Sequence, residues 1–424
     1  TGVIEDNTCK LQGLKQNEKY YLRVCMKTSR GSYLCSNTES RSTLQVKKPT
    51  YTLSSNTLTI KYNNANINGE AKYYFKSTIK GTSNINVKRC TLSNNIFTCD
   101  GNTTTIEKNT WYQSSSDQIS VSYTTTGKAS VTARTVDKSN NYSESTKDFT
   151  INKYTITFNK GSADKIGGEV SNISKSCYAI SGQSCSITSP DIEKKGYTII
   201  GWNTNKNATT SIWNINTSKS ISSSATYYPI LKANIYTITL NNQGATSSGT
   251  KKVYYQYNTT KTINGTTCYY YTNSSLTTCL SGGYNINKPS KTGYSFKGYY
   301  TSTNGSGTNY VNSSGTFINN AYKTIGDKTL YANWQANTYT ITYNANGGSG
   351  APSSQSYTYD PNNDTVFYLS STTPSRSGYT FLGWSLSSTA TSASYSAGQR
   401  WGTHNANNYT LYAVWKKTVT VCGE

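Results

Sequence analysis

GYTFLGW at residues 378–384 is the stretch that decides the fold, because the same cassette occurs three times in this chain. The other two copies read GYTIIGW at residues 196–202 and GYSFKGY at residues 293–299. In each cassette a Gly-Tyr pair is followed by three residues, a second glycine and an aromatic residue. A pattern that keeps its glycines and aromatic residues while the connecting segments drift predicts tandem copies of one structural module.

Each cassette lies between two strand-like segments. The openings read YTITF, YTITL and YTITY and start at residues 154, 236 and 339. The closings read ATYYPIL, TLYANW and TLYAVW and start at residues 225, 329 and 410. Successive openings are roughly 80 to 100 residues apart, which gives each unit enough chain for a small core of its own. We therefore expect separately folded domains rather than a solenoid of short repeats.

The composition agrees with a strand-rich chain. Aromatic residues make up 12% and charged residues 14% of the 424 residues, with 38 Tyr against 8 Phe. Abundant Tyr, Thr, Asn, Ser and Gly favour strands and turns, and amphipathic helical periodicity is scarce in the repeats. We expect a mainly β, multidomain protein with little helix.

The segment at residues 1–48 contains apolar residues at strand-like spacing: Leu14, Tyr20, Leu22 and Val24. This spacing resembles the C-terminal part of a fibronectin type III domain, from the loop before its Tyr corner to its final hairpin. Gln16 departs from the family, which often has Pro at that position. The resemblance implies half of a sandwich, which in isolation would be poorly ordered.

Short alternating segments separated by turn residues continue through residues 49–152 and predict an immunoglobulin-like β-sandwich. Its last clear strand places Val131, Ala133 and Thr135 on one face. The ending VTARTVDKSNNYS resembles bacterial immunoglobulin-like modules, in which such a strand closes on an Asp-x-x-x-Asn turn.

The three repeats are predicted at residues 153–235, 236–337 and 338–417, and residues 418–424 read as the start of a further segment. The third repeat resembles the internalin B-repeat, also called the Listeria-Bacteroides repeat. The second has Tyr299 in the usual Trp position, and the first has NKGSADK in place of the Asn-x-Gly-Gly turn and Pro229 in its last strand. The resemblance implies tandem β-grasp-like units, found in strings on bacterial surface and secreted proteins, without catalysis of their own.

Cysteine usage indicates the compartment. Eight of the ten cysteines are near neighbours that flank turn-rich stretches, which predicts local disulfides and an oxidising environment outside the cytosol. The predicted pairs are Cys25 with Cys35, Cys90 with Cys99, Cys177 with Cys185, and Cys268 with Cys279. Cys9 and Cys422 are left over, and Cys9 could compete for Cys25. A zinc site would need closer cysteines and usually histidine, so we expect no metal.

The recurring aromatic residues have two readings, a stacking platform for a ligand or the interior of each repeat. Recurrence at matched positions beside glycine favours the interior. The predicted core residues are Tyr197, Trp202, Tyr294, Tyr299, Trp334, Tyr379, Trp384 and Trp415, with Leu231 replacing Trp in the first repeat. Trp111, Trp213 and Trp401 lie outside the repeated pattern, and the sequence does not place them.

The net charge is +22, and the middle repeat is the most basic, with eight lysines and one acidic residue. Such a chain attracts polyanions at low salt, so wall teichoic acids, sulfated glycans and anionic lipids are candidate partners. A solubility role for these lysines is the alternative. No nucleic-acid motif or lysine-arginine run occurs, and no apolar run could cross a bilayer.

Catalysis has little support in the sequence. His404 is the only histidine, acidic residues are scattered, and neither G-x-S-x-G nor H-E-x-x-H occurs. We expect no enzyme and no cofactor. The cysteine pairs and the resemblance predict an extracellular location on a bacterial cell surface or in a secreted protein, and fold-level analogy predicts an adhesin stalk or spacer.

Two alternatives stay open: repeats that themselves bind host or cell-wall polyanionic glycans, and accessory modules of a secreted enzyme. The sequence does not identify the ligand, the mode of attachment, the oligomeric state, glycosylation or any Lys-Asn crosslinks.

Overall fold

The computed structural model describes residues 3–5, 8–11, 13–15, 18–42, 45–65, 67 and 69–419. Strands make up 52% of the structure, and the helical content of the described residues is two short 3-10 turns, so the expected mainly β, multidomain architecture is confirmed. By contact density the chain divides into two compact units. The first comprises Thr1–Lys194 and Ile199–Leu231, and the second comprises Lys195–Thr198 and Lys232–Glu424.

The N-terminal segment consists of paired short strands: β1 Val3–Glu5, β2 Thr8–Lys10, β3 Lys19–Leu22, β4 Cys25–Lys27, β5 Tyr33–Cys35 and β6 Glu39–Ser42. The pairs are β1 with β2, β3 with β6 and β4 with β5, all antiparallel. The Lys15 backbone N–H donates to the Tyr20 hydroxyl at 2.8 Å, a contact of the kind that a Tyr corner makes. Large apolar side chains such as Met26 and Leu34 stay exposed, at 71% and 68%. The fibronectin-like interpretation remains a prediction, and Gln16 lies outside the described residues.

A two-layered β structure follows. Its strands are β7 Thr50–Ser54, β8 Thr57–Lys61, β9 Lys72–Ser77, β10 Gly81–Ser93, β11 Ile96–Ile106, β12 Trp111–Ser114, β13 Gln118–Ser122, β14 Gly127–Val136 and β15 Tyr142–Phe158. The long β10 pairs with β13 near its start and with β12 further along, which lets one sheet fold over a common core. Alternating apolar residues fill that core, which includes Leu58 and Ile60 of β8 together with Val131 and Ala133 of β14. Whether this module belongs to the immunoglobulin-like class stays a prediction.

The first repeat shares a strand with that sandwich. β15 runs without interruption across the boundary predicted between residues 152 and 153, because Ile151 packs in the sandwich core and Ile156 and Phe158 pack in the repeat. The other strands are β16 Lys165–Ile166, β17 Ile173–Ile180, β18 Cys185–Thr188, β19 Ile192–Glu193, β20 Tyr197–Asn203, β21 Ser218–Ile221 and β22 Ala225–Ala233. β15 pairs antiparallel with β17 and parallel with β22.

The second repeat has a separate core, centred on Ile238, Tyr255, Tyr299 and Leu330. Its strands are β23 Ile235–Asn241, β24 Lys252–Gln256, β25 Lys261–Ile263, β26 Thr266–Cys268, β27 Tyr294–Tyr300, β28 Asn309–Val311 and β29 Lys328–Ala336, and its 3-10 turns are Thr303–Gly305 and Ala321–Lys323. The main sheet has the order β24-β23-β29-β27-β28.

The third repeat has the same plan. Its strands are β30 Thr338–Asn344, β31 Gln355–Thr358, β32 Phe367–Tyr368, β33 Tyr379–Ser385, β34 Arg400–Trp401 and β35 Tyr409–Lys417, and the main sheet has the order β31-β30-β35-β33. In each repeat the opening YTIT strand pairs in parallel with the closing strand, and it pairs antiparallel with β17, β24 or β31 in the first, second and third repeat. The cassette is therefore one strand of a conserved four-strand plan in the second and third repeats.

Candidate functional site at the Gly-Tyr cassettes

The second glycine has a positive φ in every cassette and lies at a β-bulge in the second and third cassettes. Gly201, Gly298 and Gly383 have φ of +132°, +120° and +139°, where an L-residue is strained. A Cβ on Gly298 would overlap the Val311 carbonyl oxygen, and one on Gly383 would meet the Tyr395 carbonyl oxygen. The register shifts at this point in β27 and β33. The bulge turns the next aromatic residue towards the interior.

That next residue is fully buried in every copy. Trp202, Tyr299 and Trp384 are all 0% exposed. The Trp202 indole N–H donates to the Pro190 carbonyl at 3.0 Å, and the Tyr299 hydroxyl makes a short hydrogen bond to the Asn242 side-chain oxygen. Desolvation raises the pKa of the Tyr299 hydroxyl above its ordinary value. These rings present no face to solvent on which a sugar or a base could stack.

The closing strands supply a second, partly buried aromatic layer. Trp334 and Trp415 pack against the cores of their repeats, as Leu231 does in the first. The Trp334 indole N–H donates to the Asn242 carbonyl, and that of Trp415 donates to the Ala345 carbonyl, both at 3.0 Å. Each tryptophan therefore links its closing strand by a hydrogen bond to the turn after the opening strand.

The first tyrosine of each cassette has a different position from the one we expected. Tyr197, Tyr294 and Tyr379 are only half-buried and lie outside the core clusters. Each tyrosine is the first residue of its strand, β20, β27 or β33, so it lies at the end of the sheet, whereas the second aromatic residue lies further along the strand and in the core. Tyr294 meets the ring of Tyr359 instead, with centroids 5.5 Å apart.

Two of the tryptophans that the sequence left unplaced are core residues. Trp213 and Trp401 are 4% and 3% exposed and belong to the cores of the first and third repeats. Trp111 lies instead in a small cluster on the sandwich, where the Arg134 guanidinium is 5.3 Å from its ring centroid and pairs with Glu144 at 2.7 Å. No local motif marks these positions, so only their tertiary neighbours could have identified them.

The structure joins the sulfurs of all four predicted cysteine pairs as disulfides. Cys25–Cys35 and Cys90–Cys99 bridge directly opposite residues of hairpins. Cys268–Cys279 and Cys177–Cys185 close short loops within the repeats. The side chain of Cys9 and the whole of Cys422 lie outside the described residues, so their partners stay open.

The positive charge of the second repeat is uncompensated. Within residues 236–337, all of which are described, no ion pair forms, and six of the eight lysines are exposed. Lys291 is an exception, since its ammonium lies 4.6 Å from the ring centroid of Tyr294 and donates to the Gln243 carbonyl. The exposed lysines are Lys251, Lys252, Lys261, Lys288, Lys297 and Lys323.

The described residues provide little for catalysis. His404 is exposed, and no group of three or more His, Cys, Asp or Glu side chains converges among the residues that the structure describes. A shallow depression of about 560 Å³ on the sandwich is lined by Lys128, Asp148, Phe149 and neighbouring polar residues, none of them a nucleophile paired with a base. No helix in the described part of the chain is long and apolar enough to cross a membrane.

Comparison with known proteins gives a family match, and the similar relatives include two proteins of Evansella cellulosilytica. A family model described as the Listeria-Bacteroides repeat domain matches residues 154–229, 263–333 and 339–414. A protein of Evansella cellulosilytica named "Putative Gly-rich membrane protein" is 34% identical over 138 residues, which are 31% of this chain and 15% of the relative. A second protein of that organism, named "Putative membrane protein", is 26% identical over 268 residues, which are 62% of this chain and 33% of the relative. The chain thus spans no more than about a third of either relative.

Proposed function

Because the chain belongs to the Listeria-Bacteroides repeat domain family, with three copies over just over half of its length, we propose that it is a non-catalytic spacer of a bacterial cell-surface protein. The match confirms the prediction of three Listeria-Bacteroides repeats, whereas the predicted boundaries of the repeats stay a prediction. The internalin B-repeat name, the two preceding module classes and the adhesin role are part of the proposal.

One observation carries the spacer function: each repeat has its own core, yet almost no chain separates one repeat from the next. β22 ends at Ala233 and β23 begins at Ile235, and β29 ends at Ala336 and β30 begins at Thr338. A single asparagine therefore links consecutive repeats in both places. Units with individual cores and one-residue links add length without the slack of a flexible linker.

Two further features support a surface location. Four disulfides within single hairpins or loops require an oxidising environment, and they reduce local opening that a protease could exploit. The names of the two relatives refer to membrane proteins, which is compatible with a segment held at the cell envelope.

The test is limited proteolysis together with glycan-array binding, both on the disulfide-intact chain. A spacer should resist protease throughout the repeats and should bind no glycan at physiological salt. Early cleavage at Asn234 or Asn337 would show that the links are loose and would contradict the spacer function.

The second candidate, polyanion binding, rests on the six exposed and unpaired lysines of the second repeat. We expect a genuine polyanion site to retain the chain on heparin above physiological salt, and to lose that retention when Lys251 and Lys252 are changed to Gln. The matched control is Lys416→Gln with Lys417→Gln in the third repeat, which also removes two positive charges. Equal losses in both variants would indicate general charge attraction rather than a site.

A further inference from the structure

The link between the second and third repeats is held on both sides. The Asn337 backbone N–H donates to the Gly293 carbonyl at 2.9 Å, and its side-chain oxygen accepts from the Ser295 hydroxyl at 2.6 Å. Its own carbonyl accepts from the Tyr359 backbone N–H at 2.8 Å. Asn337 is thus bonded to the cassette of the repeat that ends and to the residue that directly follows β31 in the repeat that begins.

The ring of Tyr359 lies against the Gly-Tyr pair of the preceding repeat. A Cβ on Gly293 would overlap this ring, so only glycine leaves room for it. The ring also meets Tyr294 edge to face, with centroids 5.5 Å apart and planes at 85°. On Tyr294 itself the ammonium of Lys291 is 4.6 Å from the ring centroid. An edge-to-face aromatic pair beside a cation is a favourable arrangement of quadrupole and charge.

The same arrangement occurs one repeat earlier, at residues that all belong to the second compact unit. The Asn234 backbone N–H donates to the Gly196 carbonyl, and its carbonyl accepts from the Tyr257 backbone N–H, both at 2.9 Å. The Asn234 side-chain oxygen accepts from the Thr198 hydroxyl at 2.6 Å. The ring of Tyr257 covers Gly196 and meets Tyr197 at 5.8 Å and 84°. Two junctions with the same contacts indicate a built interface.

In the third cassette, no ring among the described residues covers the corresponding glycine, Gly378. The Thr418 backbone N–H donates to the Gly378 carbonyl at 2.9 Å, in the place of the linking asparagine. Among the described residues, no atom lies within 4 Å of the position that a Cβ on Gly378 would take. Its φ of +73° is close to the +79° of Gly293. Gly378 is therefore a matched position. Its backbone has a positive φ similar to that of Gly293, but no tyrosine ring among the described residues covers it.

We propose that the Gly-Tyr pair of each cassette is a socket for a tyrosine of the following repeat, and that this socket couples the second and third repeats into one stiff segment that opens cooperatively. The partner that fits the socket is an aromatic side chain two residues after Tyr357 in the third repeat, or after Tyr255 in the second. The inference deepens the proposed spacer function, because a coupled junction makes the spacer rigid where a bare linker would bend.

The test compares Gly293→Ala with Gly378→Ala in the full chain with its disulfides intact, by hydrogen exchange resolved to peptides. Both substitutions place alanine at a positive φ, but only the first collides with a tyrosine ring. We expect Gly293→Ala to accelerate hydrogen exchange in residues 328–336 and 338–358, on both sides of the junction. Gly378→Ala should accelerate exchange in residues 409–417 by a factor about ten times smaller. The difference corresponds to the loss of the aromatic pair, which only Gly293→Ala disrupts.

Tyr359 provides an independent pair of variants, both of which leave Gly293 unchanged. Tyr359→Phe keeps the ring and should exchange like the parent, whereas Tyr359→Ala should accelerate exchange on both sides of Asn337. Equal effects of the two glycine variants, or an effect of Tyr359→Ala confined to its own strand pair, would overturn the proposal. Glycan binding of these variants reports on the spacer function separately, so the two proposals can fail independently.

Discussion

Trp384→Ala is the substitution that most directly separates a core role from a ligand platform. The side chain is 0% exposed and packs between Tyr343 and Phe381, with ring centroids at 4.9 Å and 5.1 Å. A buried tryptophan removes about 250 Å² from water, and truncation of such a residue to alanine costs about 3–5 kcal/mol. A repeat of this size has little more stability than that, so we expect the third repeat to lose most of its protection.

Leu382→Ala is the control on the same strand. Leu382 is 41% exposed, because it occupies the bulge beside Gly383, and its truncation should cost about 0.5 kcal/mol. Hydrogen exchange of residues 338–417 measures both variants without assuming that the whole chain unfolds in one step. We expect roughly a thousandfold faster exchange in β30 and β35 for Trp384→Ala, and less than about threefold for Leu382→Ala. Similar exchange rates in the two variants, with glycan binding lost only in Trp384→Ala, would refute the core assignment.

Three further outcomes follow from the contacts described above. Gly298→Ala should destabilise the second repeat by about 2 kcal/mol or more in urea unfolding, since it combines a positive φ with overlap at the Val311 carbonyl; an unchanged midpoint would contradict the bulge argument. Burial raises the pKa of the Tyr270 hydroxyl, so the folded state keeps this group neutral. Its contribution to the free energy of unfolding is complete below pH 10, and stability falls as the pH rises beyond that value. The phenolate absorbance of Tyr270 should therefore appear at higher pH than that of free tyrosine until the repeat unfolds. Selective replacement of Cys268 and Cys279 by Ser should cost about 3 kcal/mol through loop entropy, visible as faster proteolysis near residues 261–280 while the third repeat is unaffected.

Much of the fold was predictable because local chemistry repeats it. The alternation in YTIT places Ile156, Ile238 and Ile341 on one buried face, and each is at most 1% exposed. The cysteine pairs were readable from spacing alone, since a hairpin brings residues about ten apart into opposition. The sequence also indicated three equivalent units, and the family match agrees with that division.

The first aromatic residue of the cassette was not predictable in the same way. The sequence groups Tyr294 with Tyr299 as core, because both recur, but recurrence does not distinguish an interior contact from a contact at a repeated junction. The position along β27 distinguishes them: Tyr294 is the first residue of the strand and lies at the junction, whereas Tyr299 follows the bulge at Gly298 and lies in the core. Trp213 and Trp401 were missed for a related reason, since their burial comes from long-range packing without a local pattern.

Sequence alone predicted the mainly β content, the number of repeats and four cysteine pairs, since these follow from short-range periodicity and spacing. Tertiary structure decided that β15 serves two modules and that one asparagine joins successive repeats through a tyrosine and a glycine. Those features depend on residues such as Gly293 and Tyr359, which are 66 positions apart in the chain and meet only when two separately cored sheets are placed end against end. A periodic sequence specifies each sheet, whereas the contact between sheets is set by the geometry of the completed folds.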